Sequence, residues 1–148
     1  MINALCKISF RLVQDEDDYP PSTVELVWAK SLSDQDLYEI DNIPFFTCEA
    51  TLGDVVAVSK VSEELWFLKM VSPSLNSLIR VVFFDKSIKD LVNEDLVTLG
   101  CLTEYFAQFK LLAISVPSTV KLSLVQTYLH DRAAKGGLDY EEAILRQD

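Results

Sequence analysis

Histidine is all but missing from this sequence. His130 stands alone among 148 residues, which excludes by count a multi-histidine metal centre or a paired histidine relay. Glycine is scarce too. The four present, Gly53, Gly100, Gly136 and Gly137, are spaced so that no Gly-rich phosphate loop can form, and no Walker, G-x-S-x-G or H-E-x-x-H pattern occurs. The three cysteines, Cys6, Cys48 and Cys101, are odd in number, far apart and free of C-x-x-C spacing. Neither a disulfide framework nor a zinc ribbon is indicated, and a reducing compartment fits. The sequence does not open on a basic stretch followed by about 7 to 15 apolar residues, and charge interrupts every longer apolar stretch before about 18 residues. The expectation is a cytoplasmic chain with no membrane partner.

Positive charge is the other shortage. The net charge is −10, and residues 1–54 hold 11 acidic against 3 basic side chains, while the rest hold 12 against 10. Such a surface repels phosphate backbones and anionic membranes, so direct nucleic-acid binding is not expected, whereas a basic protein partner is attracted. What the chain does have is apolar content: 49% hydrophobic residues against 24% charged is the composition of an ordered globular chain of one-domain size.

The pattern of those apolar residues changes near residue 78. Before it, Cys6, Ile8, Phe10 and Leu12 alternate with Lys7, Ser9 and Arg11, the period of a half-buried strand. Asp15-Glu16-Asp17-Asp18-Tyr19-Pro20-Pro21 then forms an exposed acidic loop that the prolines keep out of any ladder. Strands are expected at 24–29, 37–43, 45–50, 55–60 and 65–71. After residue 78 the order reads βαββαβ. Ile88, Leu91, Val92, Leu96 and Leu99 fall at helical spacing and end at Gly100, and a second helix, capped by Ser118, carries Val120, Leu124, Val125, Tyr128 and Leu129. The helices are expected at about 86–99 and 119–135. The predicted class is α+β: an all-β subdomain at 1–76, a small bent sheet or barrel, packed as one compact body on a ferredoxin-like subdomain at 77–148.

Leu37 to Phe46 (LYEIDNIPFF), Leu52 to Val56 (LGDVV), Leu65 to Phe67 (LWF), Leu99 to Cys101, Leu111 to Pro117 and Tyr140 to Ala143 (YEEA), in that order, resemble a bacterial family known only as a domain of unknown function. The resemblance would cover nearly the whole chain. Some small bacterial proteins of this kind resemble immunity proteins that neutralise toxins delivered by neighbouring cells, which implies a cytoplasmic binding role.

Candidate sites follow from the residues. Cys101 and His130 could pair as nucleophile and base only if folding brought them together, and a free cysteine is more often a small buried hydrophobe. Glu141 and Glu142 are adjacent and point to opposite faces of a strand, so they cannot act as one catalytic pair. Asp15 to Asp18 lack the spacing and glycine of a calcium loop. No catalytic, cofactor or metal site is expected. The residues expected to bind a partner are Asp15, Glu16, Asp17, Asp18, Asp34, Asp36, Glu39 and Asp41, with Phe45 and Phe46 as an aromatic anchor, while Trp28 and Trp66 read first as core. The leading expectation is an immunity protein that blocks a basic, nuclease-type toxin. The alternative is a ferredoxin-like regulatory domain that senses a small molecule between helix and sheet.

Overall fold

The structure, a computed structural model, describes residues 4–32 and 36–147. The chain divides into two compact units, Met1–Ser74 and Leu75–Asp148.

In the first unit, strands β1 (Leu5–Arg11), β2 (Val24–Ser31), β3 (Leu37–Ile40), β4 (Val55–Val61) and β5 (Glu64–Ser72) pair in chain order and close into a barrel. Each neighbouring pair is antiparallel except the closing pair, in which β1 lies parallel to β5 with Ser9 beside Trp66. Period-two alternation decides the inside. Ile8 and Phe10 of β1, Val27 and Ala29 of β2, Tyr38 and Ile40 of β3, and Val56 and Val58 of β4 form the core, with Phe67 stacked on Phe10 at 4.8 Å. Burying such a side chain fully is worth about 1.5–3 kcal/mol, so the barrel interior is the main force closing the sheet.

In the second unit, β6 (Ser77–Phe83), β7 (Leu102–Phe106), β8 (Leu111–Val116) and β9 (Leu138–Ile144) form one sheet in the order β7-β8-β6-β9, every neighbour antiparallel. Helices α1 (Lys89–Leu99) and α2 (Leu122–Ala134) bury Val92, Leu96, Leu122, Val125 and Leu129 in a cluster with Ile79, Val81, Leu112 and Ile114. Gly100 ends α1 at φ 109°, where its N–H reaches the carbonyls of Leu96 and Val97.

The expected α+β class with a ferredoxin-like C-terminal unit is thereby corrected. Strands take 43% of the chain and helix 21%, in a barrel antiparallel except at its closing pair and one antiparallel sheet, with two α-helices among the described residues, so the protein is mostly β. Helical spacing is sustained over only 11 and 13 residues, too little to balance the strands. Both helices also start late. Residues 86–88 form a 3₁₀ turn capped by the Asp85 side chain, and α2 begins after Lys121 rather than at Ser118 because residues 117–120 close a turn of their own. The strand expected at 45–50 is a loop, since the backbone N–H groups of Phe45, Phe46 and Thr47 all donate to one carboxylate, that of Glu25.

Candidate functional site

The end of the barrel where β1 runs into β2 carries two built loops. In residues 12–23 the Asp15 carboxylate accepts from the N–H groups of Asp17 at 2.8 Å and Tyr19 at 3.0 Å, and Gln14 donates to the Pro20 carbonyl at 3.0 Å. Asp15 thereby folds the loop on itself and leaves Glu16, Asp17 and Asp18 facing solvent. The second loop, residues 41–54, is held by Glu25 from β2, whose Oε2 lies 2.7 Å from Phe45 N and whose Oε1 lies 3.1 and 2.8 Å from Phe46 N and Thr47 N. Farther along, the buried Asp54 accepts from Thr51 N at 2.9 Å and Ser74 N at 2.7 Å. The loops meet where Tyr19 packs edge-on against Phe46, with ring centroids 6.0 Å apart. Beside that contact lies a groove of about 610 Å³ lined by Arg11, Val13, Pro20, Phe46, Glu49 and Leu68 among others.

The residues predicted to bind a partner do not form one surface. Asp15 to Asp18, Phe45 and Phe46 gather at this end, with both phenylalanines half-buried. Asp36 lies at the opposite end, paired with Lys60 of β4 at 3.2 Å, a contact whose hydrogen bond and opposite charge raise the Lys60 pKa. Glu39 sits on β3 and Asp41 just beyond it, 3.3 Å from Lys30. Asp34 lies outside the described residues. Of the 11 acidic side chains in residues 1–54, Asp15, Glu25 and Asp54 hold backbone N–H groups, and Asp36 and Asp41 are ion-paired. Glu49 was not singled out from the sequence. Only the fold of the 41–54 loop brings it to the groove beside Phe46.

The sequence also gave no reason to place Trp28 outside. Apolar residues occupy both faces of β2, and the small Val27 and Ala29, not Trp28, fill the core. Trp28 is 46% exposed.

Cys101 follows Gly100 into the core, and burial pushes its thiol up to about 11. A thiol so placed stays protonated near neutral pH and is a poor nucleophile. His130 is exposed on α2, and no hydrogen bond joins the two. Cys6, Cys48 and Cys101 are all free thiols. Glu141 and Glu142 part as their adjacency requires: Glu141 meets Arg80 at 3.2 Å and Glu142 accepts from Gln126 at 2.6 Å. Among the described residues, no group of three His, Cys, Asp or Glu could hold a metal ion, and no helix is long and apolar enough to cross a membrane. The space between helices and sheet, where a sensor would hold its ligand, is filled by core side chains.

Residues 25–140 match the family described as domain of unknown function DUF4265, and the chain belongs to that family. Its fold is also that of a crystal structure of a hypothetical protein from Neisseria gonorrhoeae, with a TM-score of 0.77, 20% identity and 96% of each chain covered. No curated protein matches the chain.

Proposed function

We propose that the protein acts in the cytoplasm as a toxin-neutralising immunity protein, binding a basic, nuclease-type toxin domain with the end of the barrel that carries the acidic loop. The observation behind this reading is the loop's construction. Asp15 and Gln14 fix its backbone from within while Glu16, Asp17 and Asp18 are exposed, and Glu49, which lines the groove with Phe46 at the same end of the barrel, adds to this negative rim. A loop backbone already fixed loses little conformational entropy on binding, and like charges gathered on one edge speed encounter with a cationic surface. Tyr19 and Phe46 supply an apolar contact inside that rim. Three free thiols support a reducing compartment.

The experiment is growth protection. The chain is co-expressed with cytotoxic domains of basic, nuclease type, any encoded by neighbouring genes first, as wild type and as the variant E16K/D17K/D18K/E49K. Protection by the wild type and its loss in the folded variant are expected. Equal protection by both would refute the assignment of this surface.

A further inference from the structure

The outer face of β2, β1 and β5 is unlike the rest of the first unit. Strand pairing sets Lys7 opposite Trp28, Leu5 opposite Lys30 and Ser9 between Leu26 and Trp66, all on the side away from the core. The Lys7 ammonium lies 4.8 Å from the centre of the Trp28 ring, and the Arg11 guanidinium lies 4.3 Å from that of Trp66. Lys7, Arg11 and Lys30 are the three basic residues of positions 1–54, and Trp28 and Trp66 are the two tryptophans of the whole chain. All five share this face, together with the exposed Leu5 and Leu26. Three acidic residues border it: Glu39, opposite Lys30 on β3, Asp41, paired with Lys30, and Glu64 at the start of β5. Lys7 and Arg11 face indole rings, and among the described residues neither is in an ion pair.

We infer that this face is a second docking surface, for an acidic polypeptide segment. The inference goes beyond the proposed immunity role, which uses the opposite charge at the barrel end. Tryptophan and arginine are enriched at protein–protein hot spots, and here the exposed Trp28 lies beside Lys7 and the half-buried Trp66 beside Arg11. Lys7 and Arg11 supply two positive charges for partner carboxylates, and their seats on the rings fix them in place at small entropic cost. A phosphodiester strand is the poorer match. It carries a charge at every phosphate and needs a cation for each one it neutralises, whereas a polypeptide can set one or two carboxylates among apolar side chains.

Because both tryptophans lie here, their fluorescence reports on this face, and K7E/R11E separates it from the rest of the barrel. The probe is a short peptide of alternating Glu and Leu, titrated into the full chain and compared with a Lys-Leu peptide of equal length. The Glu-Leu peptide should shift the emission saturably, and K7E/R11E, with native circular dichroism, should weaken that binding about tenfold or more. The Lys-Leu peptide should have no effect. A Glu-Leu titration without saturation, or one unaffected by K7E/R11E, would overturn the inference. Saturable quenching by oligo-dT would overturn it in favour of single-stranded nucleic acid. A dimer by light scattering that K7E/R11E dissolves would overturn it in favour of a second copy of the chain.

Discussion

Removing the Glu25 carboxylate should loosen the loop that carries Phe46 and Glu49, at a cost the hydrogen bonds allow to be estimated. Glu25→Ala leaves three backbone N–H groups without their acceptor. They are not equivalent. Thr47 is buried at 2% exposure, so its N–H loses a partner where water does not readily replace it, at about 1–3 kcal/mol. Phe45 and Phe46 are half-buried, and their N–H groups can turn to solvent, so about 0.5–1 kcal/mol each is reasonable. The sum is about 2–5 kcal/mol, which in a chain of this size lowers Tm by about 4–20 °C. Glu25→Gln should fall between wild type and Ala, because one amide oxygen still accepts while the NH₂ opposes an N–H. Thermal denaturation followed by circular dichroism measures the loss, and amide exchange at residues 45–47 locates it. An unchanged Tm and unchanged exchange in Glu25→Ala would refute the claim that this carboxylate builds the loop.

Other substitutions test other parts of the account. Gly100→Ala places a Cβ 2.6 Å from Val120 Cγ2 at φ 109°, so a loss of about 2–4 kcal/mol is expected in denaturant unfolding. Tyr128→Phe removes the 2.5 Å bond from the Tyr128 hydroxyl to Asp95 that ties α2 to α1, and should cost about 1–2 kcal/mol. Among the thiols, the exposed Cys48 should react quickly with a thiol reagent at neutral pH while Cys101 reacts only on unfolding. Burial raises the Cys101 pKa from 9.0 to about 11, so folding favours the protonated thiol. Its contribution is complete below pH 9 and fades as pH rises toward 11, so alkaline destabilisation in that window should be smaller in Cys101→Ala than in wild type.

Much of the barrel can be read from alternation alone. Ile8 and Phe10 point inward and Lys7 and Arg11 outward, as period two requires. The two helices can be read from the spacing of Val92 and Leu96 and of Val125 and Leu129, but their first turns cannot, because Asp85 and the 117–120 turn capture the local hydrogen bonds. The order βαββαβ is legible in the sequence but does not set the class, because the strands outweigh the two short helices. The candidate site was less legible for a different reason. Sequence groups charges by position, whereas register places Asp36 at one end of the barrel and Asp18 at the other. The role of Glu25 depends on backbone groups about 20 residues away, contacts that no local pattern encodes. The outward turn of Trp28 was hidden because both faces of its strand are apolar.

That the rim of Glu16, Asp17, Asp18 and Glu49 receives a basic partner is tested most directly by stopped-flow association with the toxin domain that the chain protects against. Charge reversal at the four positions should slow association about tenfold or more at low salt and flatten its salt dependence, with native circular dichroism retained. Association and dissociation rates equal to those of the wild type at both low and high salt would contradict it.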